Sequence, residues 1–470
     1  MNQQDKFTKH NFQRRNFLKQ VAGSGSVLTA SLLSGSLISN SLLGANYPAK
    51  KFASDVECGF SNLDPDFIYL NSGTEGSMPK CVIEQLNESL NQWASDPTTS
   101  YETDETLGKH QHLQRTKVAE LFSVKKDNIC LTDNTTMGLN MVLMGINFKP
   151  TDKVIFTNHE HTAIVSPLTF QQQKIGLKLV KRSFPKTATL SKMNTQQLIE
   201  FLFPNIDELR DAKALCVSHV YPTTGVRLPL QALRKKAKQL NIQYLIVDGA
   251  QAFGVIDITQ GEDDIKHTDF YACPGHKWLN GPPSTGILYI KNSKIKPPEF
   301  YPSLSQRMEK FLDTEKPFAM AEALQVRGCS NTPGFSAMLT AISFQQDIGG
   351  ARNIEKRILE MSNKVKSLIK SLSSEALVSP FKEPQLLSGL TVFYPFNWNK
   401  PEQIYTDKDT ADKVVKRLLK KNIQIRSIGF FDSINATEKS YALRVSTAIF
   451  NTNEHIQQFE DSIKEVLVNL

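Results

Sequence analysis

With 470 residues, 40% of them hydrophobic and 22% charged, the chain can bury a large core in more than one domain, which excludes disordered and fibrous classes. Its formal net charge of +8 is concentrated at one end. Residues 1–45 hold Lys6, Lys9, Arg14, Arg15 and Lys19 against Asp5 alone, so the rest of the chain has too little excess charge to argue for a nucleic-acid partner.

The leader has a layout of its own. Arg14-Arg15-Asn16-Phe17-Leu18-Lys19 precedes a mildly apolar stretch, rich in Ser, Gly and Leu, that runs to about Ala45. Paired arginines, a short apolar region and a small-residue exit are the plan of a twin-arginine export signal. The stretch is too rich in Ser and Gly for a membrane span. Twin-arginine export machinery carries folded proteins, so a chain loaded with a cofactor in the cytoplasm could act in the periplasm. With an inactive leader it would stay cytoplasmic. The six cysteines, Cys58, Cys81, Cys130, Cys216, Cys273 and Cys329, form no CxxC pair and no disulfide framework.

Beyond the leader, short apolar runs alternate with helical periodicity, the pattern of an α/β domain. Strands are predicted at 129–132, 153–157, 214–220, 244–247, 269–272 and 286–291, with helices between them such as 136–144 and 230–239. The texture changes from Ala337. A long amphipathic helix over 352–372 is followed by a strand at 390–396, a helix at 411–421, a strand at 441–447 and a closing helix at 453–468. The division expected is a leader (1–45), an N-terminal arm (46–75), a large domain (76–335) and a smaller α+β domain (336–470).

Polar clusters fall at the strand ends. Thr132-Asp133-Asn134-Thr135-Thr136-Met137-Gly138 joins a strand to a helix start, where free amides and the hydroxyls of Thr135 and Thr136 suit a phosphate dianion or simply cap the helix. In Thr157-Asn158-His159-Glu160-His161-Thr162 an imidazole could lie flat on an aromatic ring. The HxH spacing, like His110 and His112, also admits a metal, but no third and fourth ligands follow at a telling distance, and no metal is expected. Ser218-His219-Val220-Tyr221-Pro222-Thr223-Thr224-Gly225 ends a further strand in a turn. Asp248 ends the next, in Val247-Asp248-Gly249-Ala250-Gln251, and Lys277 follows the last, in Pro274-Gly275-His276-Lys277-Trp278-Leu279. An acid and a lysine at neighbouring strand ends can reach the two ends of one flat heteroaromatic ring. Pyridoxal 5'-phosphate needs that pair, with the lysine bonding its aldehyde and the carboxylate keeping its ring nitrogen protonated.

Together with Tyr69-Leu70-Asn71-Ser72-Gly73-Thr74-Glu75-Gly76-Ser77-Met78-Pro79, these segments resemble class V aminotransferases, a branch of the fold type I pyridoxal-phosphate enzymes. The likeness spans nearly all of residues 60–470 and is strongest to the isopenicillin-N-epimerase-like group. It implies an α/β fold, with a large domain built on a mostly parallel seven-stranded sheet and a smaller C-terminal α+β domain. It also implies residue roles. Lys277 is the Schiff-base lysine, Asp248 pairs with the ring nitrogen, Gln251 contacts the phenolic oxygen and His161 stacks on the ring. Thr135, Thr136 and His276 hold the phosphate, while Arg444 grips the substrate carboxylate beside Asn71 and Gly73. Gly328 and Ser330 lie in a loop that reaches the neighbouring subunit's phosphate, implying a homodimer. Three positions depart from the family pattern: Tyr221 where asparagine is frequent, Pro274 in place of serine, and Cys329 or Ser330 in place of threonine. No cysteine follows Cys329, which disfavours a persulfide-forming desulfurase. The function expected is therefore chemistry at Cα of an amino acid, epimerase-like or aminotransferase. The alternatives are a C–S or β-elimination lyase, or a non-catalytic exported amino-acid-binding protein.

Overall fold

A computed structural model describes residues 55–470 apart from 58, 98–108, 303–307, 314 and 316–317, so the twin-arginine leader lies outside the described residues. The arm contributes β1 (Ile68–Tyr69). It is followed by β2 (Ile129–Thr132), β3 (Lys153–Thr157), β4 (Lys178–Arg182), β5 (Ala214–Ser218), β6 (Tyr244–Asp248), β7 (Phe270–Pro274) and β8 (Gly286–Ile290). Strands β2 to β8 form one seven-stranded sheet in the order β2-β8-β7-β6-β5-β3-β4. Every pairing is parallel except those of β8, which runs antiparallel to both β2 and β7.

Both faces of this sheet are covered, as a parallel sheet requires, and its central strands are buried at every residue. Side chains divide between two cores with period two. Leu215, Val217, Leu245 and Val247 face one core, while Ala214, Cys216, Tyr244 and Ile246 face the other. Helices α1 (Thr135–Gly145) and α2 (Thr162–Ile175) cover the second face through Leu139, Val142, Ile164 and Leu168. Helix α3 (Leu230–Gln239) covers the first through Leu230, Leu233 and Ala237. Strand β4 has no counterpart among the strands expected from the sequence. It is the sheet edge, and Lys178, Lys181 and Arg182 break up the apolar run by which a buried strand is recognised.

The C-terminal elements are α4 (Gly350–Leu372), β9 (Leu390–Phe393), β10 (Phe396–Asn397), β11 (Lys400–Ile404), α5 (Lys408–Leu419), β12 (Ile423–Gln424), β13 (Arg426–Phe430), β14 (Ser440–Ser446) and α6 (Asn453–Val468). They centre on a three-stranded antiparallel sheet ordered β13-β14-β9. The arm joins this layer, because β1 pairs in parallel with β12 and Asn71 bridges to Ser446. Its glycine turn then meets the lysine segment. The Gly76 amide donates to the His276 carbonyl at 2.8 Å, and a Cβ at Gly76 would lie 1.8 Å from the Lys277 carbonyl oxygen. Only glycine permits that approach.

One buried charge marks the C-terminal layer. Lys366 on α4 is fully buried, and its Nζ donates to the Ser388 carbonyl at 2.9 Å, an acceptor also served by Ser362 Oγ. Burial holds its ammonium down at about 7, from an ordinary value of 10.5. Between those values the unfolded chain binds the proton and the folded chain does not, so this group makes stability rise with pH. Lys366→Met should therefore stabilise most below pH 7, by an amount that shrinks towards pH 10, in paired denaturant titrations of wild type and variant. A gap that does not vary with pH would remove Lys366 as its source.

Candidate active site

Strand topology places the polar strand ends side by side. Ser218 pairs with Asp248 across β5 and β6, and Asp248 with Ala272 across β6 and β7, three strands whose carboxyl ends share one edge. This is where parallel α/β sheets hold ligands. Asp248 is only 4% exposed, and its Oδ1 accepts from the Ala250 amide at 2.8 Å. Desolvation raises its pKa, while the charges of His161 and Lys277 pull it down. Lys277 shows the reciprocal effect. Desolvation lowers its ammonium to about 8 against the attraction of Asp248, with Arg444 and Arg426 lowering it further.

His161 stands on the same edge as the N-cap of α2, its Nδ1 accepting from the Ala163 amide at 3.2 Å. Desolvation lowers its pKa, with the Asp248 charge opposing and that of Lys277 adding. Its neighbour His159 is a core residue. The His159 ring packs against Phe184 and Phe430, its Nδ1 lies 2.7 Å from Thr223 Oγ1, and burial pushes its pKa down to about 3. The two histidines of the HxH motif thus have separate environments. Among the described residues no group of three His, Cys, Asp or Glu is arranged to hold a metal ion.

At the α1 end, Asn134 caps the helix through the Met137 amide, and Thr136 is exposed on the first turn. Thr135 Oγ1 and His276 Nδ1 are buried without a hydrogen-bond partner. Buried polar atoms are rarely left orphaned, and a hydroxyl, an imidazole and a helix start together fit a phosphate dianion. Desolvation and the Lys277 charge lower the His276 pKa, against the pull of Glu75. In the nearby loop Gly328 adopts a positive φ of 107° and Ser330 Oγ is likewise buried and unpartnered. Arg327 ties this loop to the Leu131 carbonyl at 3.0 Å and to Asp133 at 3.2 Å.

At the opposite end Arg444 projects from β14 and is 4% exposed. Its Nη2 donates to Thr74 Oγ1 at 2.8 Å and to Asn71 Oδ1 at 3.4 Å, and Thr74 in turn donates to Asn71. Arg444 Nε has no partner. Desolvation, then the Arg426 charge, lower its pKa to about 9. Gln251 braces this end, donating to the Gly73 carbonyl at 2.8 Å and accepting from Trp278 Nε1 at 2.9 Å. It links the glycine turn to the residue after Lys277.

Tyr221, named among the cofactor-binding candidates from its place in the turn after β5, is fully buried, packs edge-on against Phe184, and donates its hydroxyl to Glu160 Oε1 at 2.8 Å. Glu160 is the residue that sequence reasoning missed. It also accepts from Thr157 Oγ1 at 2.8 Å and Ser218 Oγ at 2.7 Å. Desolvation raises its pKa to about 7, with Asp248 adding and the three hydroxyls opposing. Its place beside His161 in the sequence is the only signal that could have found it.

The sequence pattern described as Aminotransferase class-V matches residues 68–459. A probable cysteine desulfurase of Methanothermobacter thermautotrophicus is 23% identical over 411 residues, covering 85% of this chain and 95% of that protein. The isopenicillin N epimerase of Streptomyces clavuligerus is 23% identical over the same shares. Among solved structures, the cystine C–S lyase C-DES, in a form with glycine covalently linked to its pyridoxal-phosphate cofactor, superposes with a TM-score of 0.66 at 23% identity. That structure covers 87% of this chain and 99% of its own. The shared architecture is the type I fold of pyridoxal-phosphate enzymes, with its mostly parallel seven-stranded sheet.

Because Thr135 Oγ1 has no partner within the chain, Thr135→Val should leave the melting temperature of the cofactor-free protein unchanged. It should weaken pyridoxal-phosphate binding roughly tenfold, the loss of one hydrogen bond to a charged acceptor. Fluorescence titration with the cofactor measures this, and undiminished affinity would take Thr135 out of the phosphate cradle.

Proposed function

Because the chain belongs to the aminotransferase class-V family, we propose that it binds an α-amino acid by its carboxylate at Arg444 and moves the Cα proton through Lys277 Nζ. Pyridoxal phosphate is the cofactor of this family, and when bound it supplies an electron sink that acidifies the hydrogen on Cα. The observation that carries the reading is geometric: Asp248 ends β6 level with Ala272 on the strand that Lys277 follows, and the glycine turn tied to the lysine segment at Gly76 carries the Asn71 and Thr74 that hold Arg444.

Each residue has a task in this reading. Thr135, Thr136 and His276 hold the phosphate, and His161 lies against the ring face. Asp248 keeps a proton on the ring nitrogen, and its burial makes that ionic contact strong. Lys277, with a pKa near 8, is neutral often enough at physiological pH to accept a proton and still basic enough to take one from carbon. Arg444 supplies the planar fork that a carboxylate meets with two hydrogen bonds. Asn71 and Thr74 hold that fork in place. The loop carrying Gly328 and Ser330 would complete a second copy's phosphate site in a homodimer, and the paired arginines of the leader would direct export.

Return of a proton to the opposite face of Cα gives epimerisation, and its delivery to a different carbon gives transamination. A second reading is loss of a β-substituent by carbon–sulfur cleavage. It is favoured by relatives named for chemistry at carbon–sulfur bonds, together with the site's own thiol inventory. Cys130, Cys216 and Cys273 are buried, and burial raises each thiol. Cys81 is half-buried and raised too, and Cys329 is exposed on the loop beside Asp133. Cys58 lies outside the described residues, and in this reading elimination proceeds without a protein persulfide.

All three outcomes begin with removal of the Cα hydrogen, which exchange with heavy water reports. Wild type incubated with a panel of amino acids in D2O should incorporate deuterium at Cα, followed by proton NMR. Lys277→Ala should slow this by about 10²–10⁴-fold. Exchange at the wild-type rate in that variant would end the proposal, and absence of exchange in wild type would favour a binding protein. Keto acid, inverted amino acid or released thiol in the products then distinguishes the outcomes.

A further inference from the structure

The substrate end holds more positive charge than one carboxylate requires. Arg426 on β13 and Arg444 on β14 are cross-strand partners in register, so both project from the same face of the sheet. Their guanidinium groups converge on one acceptor. Thr74 Oγ1 receives Arg444 Nη2 at 2.8 Å and Arg426 Nη1 at 3.2 Å. Like charges placed opposite each other across a strand pair are destabilising. Among the described residues neither arginine forms an ion pair with any Asp or Glu, although six arginine–carboxylate pairs occur elsewhere among them. Glu75, the acid in the adjoining turn, is exposed and influences Tyr69 and His276 instead.

The two arginines differ in environment. Arg444 is buried with an unpartnered Nε, whereas Arg426 is exposed at the rim. The Arg426 charge is nonetheless felt inside, lowering the pKa of Arg444, Lys277 and His161. A bidentate arginine–carboxylate pair satisfies one guanidinium, so a substrate with one carboxylate at Arg444 leaves Arg426 uncompensated. We infer that Arg426 forms a second anion subsite and that the substrate is an acidic amino acid, its side chain ending in a carboxylate. The inference rests on the assignment of the α-carboxylate to Arg444. A diacid bridging the two guanidinium groups relieves their repulsion, whereas a monoacid relieves only half of it.

Succinate and glutarate, with butyrate and valerate as monoacids of matching carbon number, test this by calorimetry on the full chain loaded with pyridoxal phosphate. None of the four has an amino group, so binding is read without turnover. Wild type should bind the diacids at least roughly tenfold more tightly than the monoacids. Arg426→Ala, an exposed position whose change should leave the melting temperature intact, should abolish that preference and leave monoacid affinity unchanged. Equal affinities in wild type, or equal weakening of both classes in Arg426→Ala, would overturn the subsite; the latter would mean that both arginines grip one carboxylate. Arg444→Ala tests the underlying assignment separately. It should weaken both classes, and undiminished monoacid binding there would reject the α-carboxylate assignment even with the diacid preference intact.

Discussion

Asp248 and Lys277 are two opposite charges held in a space that water does not hydrate well, and the rest of the site is organised around that tension. Desolvation pushes both groups towards neutrality, the carboxyl up and the ammonium down, while their attraction pushes both back towards charge. The balance leaves a lysine that can shed its proton near neutral pH and an acid that can still pair with a cation. Neither property belongs to the residue type. Both follow from the sheet, which ends β6 and β7 side by side and sets Asp248 level with Ala272. The lysine follows β7 by three residues, within reach of the carboxylate.

That arrangement would be loose without bracing from the C-terminal layer. The arm pairs with β12 and bridges to β14, so its glycine turn is carried by the same elements that carry Arg444. The turn is then tied to the lysine segment by Gly76 donating to His276, and by Gln251 between Gly73 and Trp278. Close backbone approach at Gly76 fixes the separation between the base and the carboxylate-binding end. A shift of the arm would therefore move the Arg444 partners, Asn71 and Thr74, relative to Lys277. Positional precision of this kind is what reactions at a bound carbon demand.

The sequence made much of this legible, for definite reasons. Strands buried on both faces are nearly continuous apolar runs, so β2, β3, β5, β6, β7 and β8 stand out, as does α3 by its spacing. Asp248 and Lys277 were visible because polar residues directly after such runs have few structural duties. The edge strand β4 was not visible, because half-exposed strands carry charges. Glu160 and Lys366 were missed because burial of a polar side chain is decided by tertiary neighbours that no local pattern reveals. The pairing of Arg426 with Arg444 depends on a strand register set across seventeen residues of intervening chain and on the distant Thr74. Neither contact has a short-range signature.

Glu160 closes the electrostatic account of the site. It lies near Asp248, whose charge adds to the desolvation that raises the Glu160 pKa. Three hydroxyls donate to Glu160, whereas Asp248 accepts a single backbone amide and faces both His161 and Lys277. Tyr221, in the place where asparagine is frequent in the family, extends this hydroxyl cluster by donating to Glu160. Desolvation and hydroxyl donors thus act on Glu160 in opposite directions, and its surroundings, not its residue type, set its acidity.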